Sequence, residues 1–579
     1  MTKRLLLPLF MAALMLASFA SLRADEPSPN SLSRLLGVDT IVYLEVKDIF
    51  GTIERGKGLA LYKFVNDPEI TAMFDALKGA VPNQPDQLQD VTPDQLKNIL
   101  SGLEEMLVGA KDMFSGSAAL ALLPKGDGTP EPWGIISLGV AQGKEQDITA
   151  LLNDLPAKLQ ELLQANGQKV AVAARQEKVN GRNLTAWTST KEDGTKEDLY
   201  FYVADGRLFL SNDTEDFGRL FTLLANKPTP ALTELPEFRD CWNKTDNEEA
   251  FLFFNFAAIA DANAAPQMAM LANYLKAAGV GISFAGDYIR DHMMLAVQNI
   301  GQAPVLGSFI GVSTSGAAAS LFPKNSQACA LLNVPSFSDF WPFIKDLPPF
   351  AGIAARFQTF GVDFSKDVLD ALGGEVGISV ELAMGTADFL LAVQAKNPDK
   401  IAQVLEALEN AGMLKGFDYK GTKLYDIPSP NPGMRTVMTA AKGYLLVGTV
   451  MRVKLALSMT PDKSLTSNEE FAREWSRMKQ YSPAAFAFVD AKNLLGMAYD
   501  YGKAFLMMAG GGAVDPAALP DKEVFTRHFV PFGLGLTVKD DEISLRSEGM
   551  LPVNMMLAAS LSVWTALAVK REQPVPPAN

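Results

Sequence analysis

The sequence predicts an α+β fold built from two tandem repeated units, each a large, mostly antiparallel sheet with helices on one face. Strand-like runs come in pairs separated by turns, and single amphipathic helices interrupt them. The same order of elements occurs twice along the 579 residues. Hairpins interrupted by single helices are typical of antiparallel sheets in α+β domains. The length also allows several domains of roughly 150 residues each.

The first elements of the repeat are a strand, a hairpin and a helix. The strand-like runs are rich in branched and aromatic residues, and each helix carries apolar residues at three- and four-residue spacing. The matching segments, in chain order, are 41–46 and 328–334, 116–140 and 374–393, and 147–155 and 399–408. Further strands, opened by glycine-centred turns, follow each helix.

The most specific match joins residues 232–238 to residues 465–471, where four of seven positions are identical without a gap. A phenylalanine-rich strand follows about a dozen residues later in each half, and a helix and a closing hairpin come after it. In the first half we place the turn of this hairpin between Ile289 and His292. In the second half we expect its strands at 533–538 and 542–548.

The N-terminal 24 residues are predicted to be a cleavable signal peptide. Lys3 and Arg4 precede an uncharged apolar stretch, and small residues stand before Asp25 at cleavage spacing. The apolar stretch is shorter than the roughly 20 residues of a spanning helix. We therefore expect a periplasmic or secreted protein. The remaining boundaries are 25–300 for the first unit, 301–325 for a connector rich in Gly, Ala and Ser, 326–549 for the second unit, and 550–579 for an apolar segment with a proline-rich tail.

Residues 551–569 carry no charged side chain and are almost long enough to cross a bilayer. Lys570 and Arg571 follow them, as they would at a cytoplasmic end. Pro552 and Asn554, however, make the segment only mildly hydrophobic. We favour a helix packed on the protein, and a membrane tether through residues 551–569 is the alternative.

Composition disfavours some classes of partner. The net charge of −14, from 52 basic and 66 acidic residues, disfavours binding to nucleic acid and to anionic lipid headgroups. Cys241 and Cys329 are the two cysteines, so one disulfide at most can form. A bridge between them and a pair of buried thiols are both compatible with an exported protein.

No catalytic, cofactor-binding or metal-binding residues are predicted. The two histidines lie far apart, and no group of Cys and His has the spacing of a zinc site. We expect His292 to be a satisfied strand residue and His528 to face solvent. Segments resembling a hydrolase elbow, at 281–286 and 311–316, have the wrong spacing. The glycine-rich segment 51–58 lacks the Ser or Thr that would hold magnesium in a phosphate loop.

Three segments resemble a family of exported bacterial proteins, from planctomycetes and cyanobacteria, that is grouped only as a domain of unknown function. They are the strand with Tyr43 and Leu44, the segment 232–238, and the run 251–256. The resemblance would span most of the mature chain. It implies no catalytic residue, cofactor or activity.

We therefore expect an exported, non-enzymatic cell-envelope protein that binds or scaffolds an unknown envelope protein or an apolar ligand. One alternative is an exported hydrolase that uses two carboxylates, which would have to face each other across a cleft at about 5–10 Å. The other is an envelope component tethered by residues 551–569.

Overall fold

The fold is described from a computed structural model of the chain. The described residues are 31–73, 111–125, 132–165, 171–190, 193–245, 249–262, 273–303, 305–347, 352–383, 386–427, 435–509 and 519–558. The predicted signal peptide and most of the segment 551–569 lie outside these ranges.

The chain divides into two compact units. Unit 1 comprises residues 1–63, 77–298 and 552–579, and unit 2 comprises residues 64–76 and 299–551. Unit 2 thus includes a short stretch from the N-terminal part of the chain. Unit 1 likewise includes the end of the chain, which follows unit 2 in sequence.

Unit 1 contains a ten-stranded antiparallel sheet among its described residues. Its strand order is β4-β5-β6-β7-β3-β2-β1-β8-β9-β10. The strands are β1 (Val42–Val46), β2 (Phe114–Pro124), β3 (Pro132–Val140), β4 (Ala171–Val179), β5 (Arg182–Thr190), β6 (Lys196–Ala204), β7 (Arg207–Ser211), β8 (Ala250–Asn255), β9 (Leu275–Ala285) and β10 (Tyr288–Val297).

Unit 2 also contains ten antiparallel strands among its described residues, in the order β14-β15-β16-β17-β13-β12-β11-β18-β19-β20. The strands are β11 (Ala328–Val334), β12 (Leu372–Ala383), β13 (Thr386–Ala395), β14 (Lys415–Tyr419), β15 (Thr422–Ile427), β16 (Thr436–Ala441), β17 (Tyr444–Thr449), β18 (Ala485–Val489), β19 (Phe532–Val538) and β20 (Glu542–Gly549). If the strands of each unit are numbered from 1 to 10 in chain order, both units have the same strand order, 4-5-6-7-3-2-1-8-9-10.

The α-helices connect these strands. They are α1 (Ile49–Gly56), α2 (Ala60–Val65), α3 (Glu145–Ala165), α4 (Thr214–Asn226), α5 (Pro236–Lys244), α6 (Phe256–Ala262), α7 (Phe337–Ile344), α8 (Ile353–Gln358), α9 (Pro398–Asn410), α10 (Val450–Leu457), α11 (Glu469–Lys479), α12 (Ala491–Ala509) and α13 (Lys522–Thr526). The α+β class and the large antiparallel sheets are confirmed.

Helices cover both faces of the sheet in each unit, whereas the sequence placed them on one face. In unit 1, Phe217 of α4 and Phe238 of α5 pack on one face, and Ile148 of α3 packs on the other. In unit 2, Val453 of α10 packs in the hydrophobic cluster on one face of the sheet, and Ile401 of α9 packs in a separate cluster on the other face. Strands that must pack on both faces carry apolar runs instead of strict alternation, as in Leu208-Phe-Leu210.

The best-matched sequence segment forms the same local structure twice. In unit 1 a short 3-10 helix, Leu232–Glu234, precedes α5. In unit 2 the 3-10 helix Leu465–Ser467 precedes α11 in the same way. The Phe238 ring contacts Phe251 and Phe253 edge-on, with centroids 5.6 and 5.1 Å away. Phe471 contacts its two strand phenylalanines, Phe486 and Phe488, in the same edge-on manner at 5.9 and 5.5 Å.

Part of the predicted connector 301–325 belongs to the core of unit 2. Residues Ala317–Leu321 form a 3-10 helix, and Ala318 and Phe322 are fully buried. The buried carboxylate of Glu375, on β12, accepts hydrogen bonds from the backbone N–H groups of Gly316 and Ala318 at 2.7 and 2.5 Å. This carboxylate therefore satisfies the free N–H groups where the 3-10 helix begins.

Candidate binding surface

One face of the unit 2 sheet carries apolar side chains that are smallest on its two central strands. The floor of this face is formed by Ala328, Ala330 and Leu332 of β11 together with Ala485, Ala487 and Val489 of β18, so the paired alanines lie at its centre. Ala330 lies opposite Ala487 in the ladder, and the side chains of these positions point to the same face because their numbers differ by two along each strand. We call this floor and its walls the alanine trough.

Bulkier side chains on the two flanking strands form the walls of the alanine trough. Ile378 of β12 is the ladder partner of Ala330, and Leu534 of β19 is the partner of Ala487. Three strand spacings of about 4.8 Å place the two wall strands about 14 Å apart. The remaining wall residues are Val376, Val380 and Leu382 on β12 and Phe532 and Leu536 on β19.

The alanine trough is partly open to solvent. Ile378 is 38% exposed and Leu382 is 42% exposed, and Ala330 is exposed as well. The strands of its floor, β11 and β18, are each paired on both sides, so their backbone donors and acceptors are used within the sheet. The exposed face is therefore made of apolar side chains, which is unusual for a solvated sheet and typical of a binding surface.

The equivalent face of unit 1 is filled by larger side chains. The ladder registers make Leu44 of β1 equivalent to Ala330, and Leu252 of β8 equivalent to Ala487. Leu252 is 8% exposed, and the next residue pointing to that face, Phe254, is 7% exposed. The two units thus share a strand order and differ in the volume above the two central strands.

The two cysteines lie in different hydrophobic cores and are not joined in a disulfide. Cys241 is fully buried on α5 in the core of unit 1, and Cys329 is buried on β11 in the core of unit 2. Burial raises the pKa of the Cys329 thiol well above its usual value. A buried thiol with a raised pKa behaves as a small apolar side chain, without the reactivity of a thiolate.

The two histidines are both largely shielded from solvent. His292 of β10 is fully buried, in line with its prediction as a strand residue. His528 was expected to face solvent, but its side chain is 19% exposed and its Nε2 lies 2.7 Å from Oδ2 of Asp67. Arg527 donates two hydrogen bonds to the same carboxylate oxygen. Burial raises the carboxyl pKa of Asp67, but the bonds from His528 and Arg527 outweigh it and lower that pKa to about 2.

A pair of buried carboxyl groups lies on the α11 side of the unit 2 sheet. Glu474 of α11 is fully buried, and Glu548 of β20 is 3% exposed. Arg477 forms ion pairs with both of them. Burial and the negative charge of Glu548 raise the carboxyl pKa of Glu474 to about 7. Because neither carboxyl group reaches solvent, this pair does not form the open cleft that glycoside hydrolysis requires.

A second buried polar cluster lies in unit 1. The carboxylate of Glu45 accepts hydrogen bonds from the hydroxyl groups of Tyr43 at 2.6 Å and Ser31 at 3.0 Å. The buried guanidinium of Arg207 donates to the hydroxyl of Ser137 at 2.6 Å. Burial raises the pKa of both Glu45 and Tyr43. The cluster fixes the start of the 3-10 helix Leu32–Arg34, since Ser31 is the N-cap of that helix.

Neither a metal site nor a membrane-spanning helix is present within the ranges of the chain that the structure describes. There, no three His, Cys, Asp or Glu side chains converge as a metal site would require. Nor does any helix in this part of the chain combine the length and apolar character needed to cross a bilayer. Residues 553–558 are helical and begin the segment 551–569. The buried Asn554 donates to the backbone carbonyl of Asp291 at 3.0 Å, as a packed helix would.

The alanine trough was not identified from the sequence alone. A signal for it exists, because alanines alternate in Ala328-Cys-Ala330 and Ala485-Phe-Ala487, where the first unit has Val42-Tyr-Leu44 and Ala250-Phe-Leu252. Alternation at a period of two identifies the residues on one face of a strand. Two alanine pairs become one surface only when the pairing of β11 with β18 is known.

The comparisons with known proteins give one match. Residues 353–509 match a family described as "Protein of unknown function (DUF3352)". No curated protein and no solved structure matches the chain. The matched stretch lies in unit 2 and includes the trough residues Ile378, Ala485 and Ala487. This part of the chain is therefore similar to a family of domains of unknown function.

Proposed function

We propose that the protein is an exported, non-enzymatic cell-envelope protein whose alanine trough binds a linear apolar ligand, such as the acyl chain of a lipid. The observation that carries the proposal is the apolar row of Ile378, Ala330, Ala487 and Leu534, in which Ile378 and Ala330 are exposed, whereas the equivalent row of unit 1 contains the buried Leu252. Ligand sites are typically concave and lined by apolar side chains. The envelope location follows from the predicted signal peptide.

The shape of the trough favours a narrow ligand. Two adjacent strands supply the floor, so an extended acyl chain can lie along them between the side chains of the two wall strands. The floor and walls offer no hydrogen-bonding side chain, so affinity would come from buried apolar area at about 25 cal/mol per Å². A protein partner docked by backbone pairing is not favoured, because β11 and β18 have no unpaired edge.

The test replaces the floor alanines by the residues that unit 1 carries. A fluorescent polyene fatty acid is titrated into the full mature chain and into the double variant Ala330→Leu/Ala487→Leu. We expect at least tenfold weaker binding by the variant, because two leucine side chains occupy the space of the ligand. Ala498→Leu, at an exposed position on α12, is the matched control and should bind as the wild type does. Equal affinity in the double variant would refute the proposed site.

Export is tested separately. The full-length gene is expressed in a bacterium with an intact secretion system, and the N-terminus of the envelope protein is sequenced. We expect it to begin after Ala20 or Ala24, where small residues give cleavage sites. A protein that retains Met1 and fractionates with the cytoplasm would contradict the proposed location.

A further inference from the structure

The outer face of helix α10 in unit 2 combines exposed apolar side chains with cationic ones. Met451 is 65% exposed and Leu455 is 41% exposed, and these residues are four positions apart on the helix. Residues at this spacing lie on the same face. Lys454 lies beside Leu455, and the inner face of the helix is anchored by the fully buried Val453.

The cations of this region surround the β14 hairpin. The Lys454 ammonium group is 4.8 Å from the ring centre of Tyr419, and that of Lys420 is 5.5 Å from the same ring. Lys415, on the same hairpin, is exposed. None of these three lysines forms an ion pair within the ranges of the chain that are described. Arg435 is different, because the Asp426 carboxylate holds it in a two-point ion pair at 2.6 Å.

From these contacts we infer that the α10 face, defined as Met451, Lys454, Leu455 and Lys420, docks on a bilayer surface containing anionic lipid. Apolar side chains that project beside lysines fit such a surface, since the side chains enter the headgroup layer and the ammonium groups pair with phosphates. Each lysine near an anionic leaflet contributes a several-fold gain in partitioning.

Two features favour a lipid surface over an anionic polymer. First, Met451 is 65% exposed, a value that only Phe505 equals among the large hydrophobic side chains of the described residues. A soluble anionic polymer would leave this side chain in water, whereas a lipid surface would bury it. Second, the Phe417 and Tyr419 rings already have Arg435 and Lys454 against them at 4.6 and 4.8 Å. Their occupied faces are poorly placed to stack on sugar rings.

The net charge of −14 opposes this docking, but the repulsion between exposed charges and the lipid acts only over a short range. At physiological salt, exposed charges are screened beyond about 8 Å. The charges close to the α10 face therefore determine whether it binds an anionic surface. Unit 1 differs at the equivalent helix, α4, whose first turn carries Glu215 and Asp216 instead of an exposed methionine. The inference thus assigns lipid contact to unit 2 and does not depend on the alanine trough.

The experiment is flotation of the full mature chain with vesicles of phosphatidylcholine, with and without phosphatidylglycerol. We expect binding to the mixed vesicles only, and its loss at high salt. Lys454→Gln should weaken binding about fivefold. Lys503→Gln, which removes a charge from α12, is its control. Leu455→Ser should also weaken binding, whereas Leu306→Ser, at a residue that is likewise 41% exposed, should not.

Three outcomes would overturn the inference. They are no binding to the mixed vesicles, equal binding to pure phosphatidylcholine, and unchanged binding by both α10 variants. Equal binding to neutral vesicles would instead assign the contact to an apolar segment such as 551–569. The trough-filled variant Ala330→Leu/Ala487→Leu should float as the wild type does. A failure of fatty-acid binding, which would refute the proposed ligand site, can therefore be distinguished from a failure of vesicle docking, which would refute the α10 face.

Discussion

At the residue scale, side-chain volume distinguishes the two units. Leu252 is buried in unit 1, and its equivalent in unit 2, Ala487, is only partly covered. A buried leucine makes many contacts that an alanine cannot replace, and its removal leaves a cavity. An alanine that is partly exposed can be enlarged at little cost, because the added atoms extend toward solvent. Exchanging leucine for alanine in unit 1 should therefore destabilise the protein, whereas exchanging alanine for leucine at the equivalent position of unit 2 should have little effect on stability.

We predict that Leu252→Ala lowers the free energy of unfolding by about 2–5 kcal/mol. Ala487→Leu should change it by less than about 1 kcal/mol, because the added atoms enter open space. Urea denaturation followed by intrinsic fluorescence measures both variants. A large loss of stability in Ala487→Leu would mean that the trough is not open, and would remove the basis of the ligand proposal.

The Glu474 carboxyl group should make unit 2 more stable in mild acid. Its pKa is raised by burial and by Glu548 from 4.5 to about 7, so the folded state binds its proton more tightly than the unfolded state does. This contribution is complete below pH 4.5 and is lost as the pH rises from 4.5 to 7. A shift of this size corresponds to roughly 3 kcal/mol at most.

Glu474→Gln is the variant that tests this pH dependence. Glutamine cannot ionise, so the decrease in the free energy of unfolding between pH 5 and pH 8 should become smaller by roughly 3 kcal/mol at most. Urea unfolding at the two pH values provides the measurement, and Glu523→Gln, on α13, is the control. The same pH dependence in Glu474→Gln as in the wild type would show that another group is responsible.

At the element scale, two glycines let a helix lie close to the sheet in each unit. Gly279 and Gly281 of β9 pair with Phe253 and Phe251, and Gly533 and Gly535 of β19 pair with Phe488 and Phe486 in the same way. A Cβ atom at Gly279 would lie 2.4 Å from the Cβ atom of Cys241 on α5. Helix α5 could not then keep its distance from the strand.

We predict that Gly279→Ala lowers the free energy of unfolding by about 1–3 kcal/mol, the usual cost of overpacking. Gly502→Ala is the matched control, because a Cβ atom there meets nothing within 4 Å and alanine favours helix α12. Thermal unfolding compares the two variants. If Gly279→Ala were as stable as the wild type, the close packing of α5 against β9 would be wrong.

The sequence identifies most strands and misplaces one turn. Residues 328–334 are predicted as a strand and form β11 with the same bounds. The closing hairpin of unit 1, however, turns at Gly286 and Asp287, not between Ile289 and His292. Asp291 is buried, where it accepts a hydrogen bond from the backbone N–H of Met555, a partner that local sequence cannot reveal.

At the scale of the whole molecule, distant parts of the sequence complete each unit. Residues 64–76 belong to unit 2, where Asp67 is held by Arg527 and His528, more than 450 residues away. Such contacts have no local signature. Repetition of the hairpin and helix pattern is visible in the sequence, and the strand order is the same in both units. A common origin of the units stays a prediction.

The net charge also illustrates what the sequence shows and what it leaves open. It excludes a uniformly basic surface, yet Lys420 and Lys454 come together at the Tyr419 ring only when the β14 hairpin and α10 are folded. The alanines of the trough are likewise separated by more than 150 residues along the chain. Composition therefore constrains the classes of partner, and the pairing of strands locates the surfaces.

The most direct test of the central claim, that unit 2 carries an apolar ligand, is mass spectrometry of the protein purified from its own envelope. Solvent extraction of the wild-type protein should release a single class of acyl-chain molecule in near-stoichiometric amount. The Ala330→Leu/Ala487→Leu protein, purified in parallel, should release almost none. Equal amounts of the same molecule from both proteins, or none from either, would contradict the claim.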